Sequence, residues 1–351
     1  MASEYIYISS FILFIVLMLS IDLGVFNKKD HVVGFKEAAT MSFVWVSFAL
    51  GFYILLLTKG QELHSIETFS RLEEITRLNQ HNITLNPDNF IESLKTYKQN
   101  LALEFLTGYV IEYALSVDNI FVMVLIFSAF SVDEKYYHRV LVWGIIGAVI
   151  MRFLFIFLGA ALITKFTWIL YIFGAFLVYT GFSMFFNRHE EEKIDTQNHK
   201  MVLFASKYFS VSPHFSGNKF FIRQNGKRFI TPLFLVLLIV EFSDLIFAVD
   251  SIPAIFAVTK DAYIVFFSNI FAILGLRSMF FLLVNTIHKF HYLKTGLSLL
   301  LVFIGVKMLA HNWLVKIGFT TMHSLFVILG ILTISVVASL IFPQKTPVKS
   351  K

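Results

Sequence analysis

Apolar residues run through this chain in long blocks, and the polar residues gather between them. Hydropathy predicts membrane spans near 5–24, 38–57, 100–128, 138–162, 166–186, 229–257, 260–286, 290–310 and 318–341. Most of these blocks reach the roughly 20 residues that a helix needs to cross a bilayer. The pattern predicts an all-α polytopic membrane protein of about nine transmembrane helices. It divides into two N-terminal helices (1–57), a polar loop (58–99), three helices (100–186), a basic loop (187–228), three further helices (229–310), and a last helix with a basic tail (311–351).

Composition agrees with this picture. Of the 351 residues 57% are hydrophobic and only 15% charged, against roughly 25% charged in ordinary soluble domains. Mean hydropathy is +0.74. The first apolar block lacks a basic leader and a small-residue cleavage site, so it reads as a span and not as a removed signal peptide. The net charge of +6 does not point to nucleic acid, because the excess lies in loops. Residues 187–228 alone hold Arg188, Lys193, Lys200, Lys207, Lys219, Arg223, Lys227 and Arg228. Lys and Arg bias places that loop in the cytoplasm, with the N-terminus outside and the C-terminus inside. Cysteine is absent, which excludes disulfides, thiolate metal sites and thiol nucleophiles.

Two stretches repeat one another. Glu112-Tyr-Ala-Leu-Ser-Val-Asp118-Asn119-Ile120 aligns with Asp244-Leu-Ile-Phe-Ala-Val-Asp250-Ser251-Ile252. Further along, Arg152 aligns with Arg277, and Gly181 with Gly305, at offsets close to the first. Each unit holds three spans, an odd number, so the second copy enters the membrane from the opposite side. Two inverted three-helix repeats with a site at their interface are a recurring transporter arrangement.

The repeats carry the intramembrane charges. The acids are Glu104, Glu112, Asp118, Glu241, Asp244 and Asp250, with Asp22 near the end of the first span; the bases are Arg152, Arg277 and Lys307. Six unpaired acids would cost on the order of 15–20 kcal/mol. Three bases can compensate or gate three of them, and the remaining negative charge calls for protons, water or a bound cation. A static ion-pair network is the plainer reading, but it has no need of two matching acidic helices.

On a regular helix Glu112 and Asp118 are about 9 Å and 120° apart, too far to hold one ion together. Glu241 and Asp244 share a face. Pro253 removes a backbone donor, so both acidic helices are predicted to break around Asp118-Asn119 and Asp250-Ser251, freeing carbonyls for the ion. The predicted metal set is Glu112, Asp118, Asn119, Glu241, Asp244, Asp250 and Ser251. Oxygen donors of this kind favour hard cations such as Mg²⁺, Ca²⁺ and Mn²⁺. The ion is a transported substrate, and no cofactor is expected. His138, His288, His291 and His323 lie near span ends without i, i+4 pairing, which disfavours a histidine zinc site.

Longer motifs carry a resemblance. Phe105-Leu-Thr-Gly-Tyr-Val-Ile-Glu112 running on to Phe121, His138-Arg-Val-Leu-Val-Trp-Gly144, and Val240-Glu241-Phe-Ser-Asp244 running on through Pro253 resemble the TerC/Alx family. Asp22 through Phe26, and His31 through Ala38, add matches, so the similarity spans roughly residues 15–310. The resemblance implies an inner-membrane protein related to the lysine-exporter superfamily, whose members are linked to manganese export and tellurite resistance. By motif match it implies that Glu112, Asp118, Glu241, Asp244 and Asp250 handle the ion. Segment 58–99 is longer than the family pattern leads one to expect. Carboxylates repel an oxyanion, so a tellurite phenotype would be indirect.

The expected function is therefore export of a divalent ion, Mn²⁺ first, in exchange for protons, with the lipid bilayer and the ion as partners and no enzymatic activity. The competing reading is a non-transporting scaffold of a stress complex, binding protein partners through 58–99 and 187–228. An intramembrane aspartyl protease built on Asp118 and Asp250 is disfavoured, because the chain has no Gly-x-Gly-Asp.

Overall fold

In the computed structural model, residues 9–18, 33–166, 168–187, 202, 206–207, 209–224, 227–284 and 292–342 are described. Asp22, His31, His288, His291 and much of the basic loop lie outside them. The helices are α1 (Ser9–Met18), α2 (Phe35–Lys59), α3 (Phe69–Leu78), α4 (Phe90–Ala129), α5 (Tyr137–Lys165) and α6 (Ile169–Phe186). They continue with α7 (Pro232–Phe256), α8 (Ala262–Val284), α9 (Leu293–Leu309), the short α10 (His311–Lys316) and α11 (Thr321–Ile341). Seven are long and apolar enough to span a bilayer; α9, at 17 residues, and α1 are apolar but shorter. The protein is a helical, multi-pass membrane protein.

Local chemistry sets the helix ends. Asn89 caps α4 by accepting from the Glu92 amide at 3.1 Å. Thr231 caps α7, with Pro232 in the first turn where its missing N–H costs nothing. At 40 residues, α4 is about 60 Å long, twice the hydrocarbon thickness. Its first turns therefore stand outside the bilayer. Around them fold α3 and the 3₁₀ turn Gly60–His64, with Leu63, Leu72 and Tyr97 fully buried. The sequence reading of 58–99 as an open polar loop misses this small apolar core. The basic loop is not wholly irregular either. It holds a three-stranded sheet in the order β1 (Ser210–Val211), β3 (Lys227–Ile230), β2 (Phe221–Gln224), with β1 parallel and β2 antiparallel to β3.

The bundle closes around α8, in which every residue from Ile264 to Phe281 is buried. It is flanked by α2, α4, α5 and α7. The main pairings across the repeats are α4 with α8, α5 with α7, and α6 with α9, together with α4–α7 and α5–α8. That set is unchanged when α4, α5 and α6 trade places with α7, α8 and α9. Helices α6 and α9 approach most closely. A Cβ at Gly305 would lie 2.7 Å from the Gly174 carbonyl, and one at Gly181 2.8 Å from that of Ser298. Small residues that let backbones meet are a common basis for helix association in lipid. The offset relating Gly181 to Gly305 also relates Gly174 to Ser298, so the two contacts exchange with the halves.

The predicted breaks do not occur. Helix α4 is unbroken through Asp118-Asn119, and α7 continues through Asp250-Ser251 and Pro253 to Phe256. The stretch 109–129 contains neither Gly nor Pro, so no residue there removes a backbone donor from the helix. Pro253 lies only three residues from the end of α7. Pro253 takes away only the bond to the Val249 carbonyl, and α7 runs on to Phe256 without unwinding.

Candidate functional site

The buried charges fall into three groups. The first lies among four helices. Arg152 of α5 is 1% exposed and bonds to Glu112 of α4, which is fully buried. It also donates to Asn269 Oδ1 of α8 at 2.5 Å and to Asp244 Oδ1 of α7 at 3.4 Å. One guanidinium thus faces two carboxylates. Among the described residues Glu112 Oε2, Asp244 Oδ2 and Arg152 Nε find no hydrogen-bond partner. The cluster is under-neutralised and has acceptor capacity left over. Glu241, one turn before Asp244, lies across α5 at Gly147, where any Cβ would collide with its carboxylate. Arg277, the sequence counterpart of Arg152, donates to His138 Nε2 at 2.5 Å and reaches Met41 Sδ at 3.9 Å.

The second group forms a cavity of about 350 Å³. Asp118 and Asn119 of α4 line it together with Asp250 of α7, Thr180 and Ser183 of α6, Asn187 and Lys294. The Thr180 hydroxyl donates to Asp250 Oδ1 at 3.4 Å. A continuous helix separates Asp118 from Glu112, as the i, i+6 geometry requires. The two acids that meet here therefore come from corresponding positions of different repeats. Ser251 is buried next to Asp250 in sequence, and its hydroxyl finds no partner among the described residues. Among the described residues no three His, Asp or Glu side chains group closely enough to hold a metal ion. Of the seven predicted ligands, Asp118, Asn119 and Asp250 line this cavity, Glu112 and Asp244 bond to Arg152, and Glu241 and Ser251 belong to neither set.

The third group lies at the α7–α8 turn, and the sequence reading found only Glu104 and Lys307 of it. Glu104 Oε1 bonds to His81 Nδ1 at 3.0 Å and accepts from Asn100 at 2.7 Å, while Oε2 accepts from Thr259 at 2.6 Å. Asp261, 1% exposed, bonds to His64 Nε2 at 2.7 Å. Burial opposes charge on His81, but the Glu104 carboxylate outweighs it and raises the imidazole above its usual 6.5. Burial likewise works against the Asp261 carboxylate, yet the charge of His64 holds it below the usual value. His64 and His81 escape a local spacing test because their partners are distant in sequence. A buried histidine whose nearest acid is 23 or 197 residues away leaves no i, i+4 trace.

These pairs tie the 58–99 segment to the bundle, and their pH dependence has a definite sign. A raised histidine contributes stability that is complete below the unfolded value, near 6.5, and is lost as pH rises through the folded one. We expect melting of the wild type to fall between pH 6 and pH 9 and His81→Gln to flatten that fall. Equal slopes in thermal scans of the two proteins would remove His81 from the account.

Comparison with known proteins places the chain in a family. The family described as "Integral membrane protein TerC family" matches residues 97–347. An uncharacterised membrane protein of Myxococcus xanthus is 44% identical over 97% of this chain and 93% of its own. The Alx protein of Salmonella typhi is 42% identical over 93% of this chain and 91% of its own. Its Escherichia coli K12 counterpart is 42% identical over 85% and 84%. No solved structure matches. With the Asp118 and Asp250 motifs and most of the bundle inside the matched region, the chain belongs to the TerC family of integral membrane proteins.

Proposed function

We propose that this protein is a secondary transporter, and not an enzyme, that exports a divalent metal ion from the cytoplasm in exchange for protons, with Mn²⁺ as the cargo. One observation carries the reading: Asp118 and Asp250, from matching positions of the two repeats, line a single cavity with amide and hydroxyl oxygens and one lysine, Lys294, around them. Two carboxylates with neutral oxygens suit a hard divalent ion. A pair of carboxylates can also take up protons once the ion has left, which suits exchange. The packing that survives an interchange of halves supports the inverted-repeat reading, in which two bundles rock about a shared site. Arg152 would then act as the internal counter-charge, with Glu112, Glu241 and Asp244 as the next carboxylates on the path.

We place the protein in the inner membrane with the N-terminus outside, on the Lys and Arg bias of the loops. The Alx relatives are named as membrane-bound redox modulators. This chain has no cysteine, so any such role here runs through the transported metal and not through a thiol.

The reading is tested by reconstitution. Purified protein in liposomes, with no other protein present, should carry Mn²⁺ down an imposed gradient and do so faster against an opposing proton gradient. Liposomes no leakier than protein-free controls would favour the scaffold reading instead.

A further inference from the structure

A second chamber lies beside the α7–α8 turn. It consists of two adjoining cavities of about 240 and 40 Å³, both lined by Gln80, Ala257, Lys260 and His311. Lys307 and Glu104 enter the smaller one. Neither cavity shares a lining residue with the Asp118–Asp250 cavity.

The charge here is of the opposite sign to that of the proposed cation path. Two lysines and a histidine converge, and Glu104 is the one acid in the lining. That carboxylate is already engaged on both oxygens by His81, Asn100 and Thr259. Lys307 takes part in no ion pair among the described residues, and Lys260 donates only to the Phe256 carbonyl at 3.1 Å. Burial pulls Lys260 down to about 8, with the Glu104 charge opposing. Burial lowers His311 too, and the neighbouring Lys260 and Lys307 lower it further. The cations therefore repel one another in a partly enclosed space where Glu104, already engaged, is the one acid among the described lining residues. Thr320 and Thr321, at the start of the 21-residue α11, also line the smaller cavity. A helix start adds positive potential and hydroxyl donors.

We propose that Lys260, Lys307 and His311 form a binding site for a phosphate-class oxyanion. A tetrahedral oxyanion supplies the missing negative charge and enough acceptors to take hydrogen bonds from both ammonium groups and from the Thr321 hydroxyl. The two adjoining cavities, both lined by Lys260 and His311, together admit the anion with a few waters. The same chemistry is offered by free phosphate and by the phosphate of an anionic lipid headgroup. The site does not rest on the metal-export reading and stands or falls separately from it.

The experiment is thermal melting of the full-length protein in neutral detergent. Inorganic phosphate is titrated at constant ionic strength against chloride. A free-anion site gives a saturable rise in melting temperature, and Lys260→Gln and Lys307→Gln each weaken the half-saturating concentration by roughly tenfold or more, one charged hydrogen bond each. Lys307→Arg retains the response, which separates charge from packing if Lys307→Gln folds poorly. A headgroup site shows instead as stabilisation by phosphatidylglycerol over phosphatidylcholine in nanodiscs, removed by the same substitutions. No response in either arm, or a response that survives both Gln variants, overturns the proposal.

Discussion

Asp118→Asn and Asp250→Asn each lose most Mn²⁺ export in the liposome assay, with the transport rate at limiting metal reduced roughly ten- to hundredfold. Asparagine keeps an oxygen ligand and nearly the same volume but removes the negative charge. The loss therefore measures charge and not shape. The two variants should be equally impaired, because the side chains come from corresponding positions of the repeats and line one cavity. The double variant should be no better than either single one. Folding is not expected to suffer, since both residues are only partly buried and a neutral side chain in the cavity costs less than a charged one. If either single variant exports at a rate within twofold of wild type, that residue does not hold the ion.

The largest effect on stability is expected at Arg152. Arg152→Met strands Glu112 and Asp244 in the middle of four packed helices. Breaking a buried ion pair by removing one partner costs about 3–5 kcal/mol. In detergent this should appear as a large fall in melting temperature, or as loss of the folded protein on extraction. The signature of the mechanism lies in rescue. Adding Glu112→Gln and Asp244→Asn to Arg152→Met removes the stranded charges and should recover most of the stability, though not transport. A variant of Arg152 alone that melts within a degree or two of wild type would show that the guanidinium is not the counter-charge of these acids.

Much of this arrangement is legible in the sequence, and its limits are physical. Hydropathy finds the spans because lipid demands long apolar helices whatever the fold. The spacing of Glu112 and Asp118 separates them into different sites because helix geometry is fixed. The pairing of Asp118 with Asp250 is visible only through the internal repeat. By contrast, the reading of Pro253 as a helix break fails, because one missing backbone bond does not unwind a helix that packs against its neighbours. The buried pairs His64–Asp261 and His81–Glu104 are invisible for the opposite reason. Their residues look like ordinary interfacial polar groups until the 58–99 segment folds back on the bundle. Asn269 is another such case: one amide in a block of phenylalanines and isoleucines, it becomes a ligand of Arg152 only when α8 is placed at the centre.

That central position has a consequence for how the protein meets its surroundings. By hydropathy α8 is indistinguishable from a lipid-facing helix, yet protein sheathes it on every side from Ile264 to Phe281. Its length is therefore not matched to bilayer thickness. The outward side chains of α6 and α11, such as Tyr179, Phe186, Phe326 and Ile334, meet the acyl chains in its place. Thinner or thicker membranes will tilt those outer helices, while the helix that holds Asn269 and Arg277 stays in register with its neighbours.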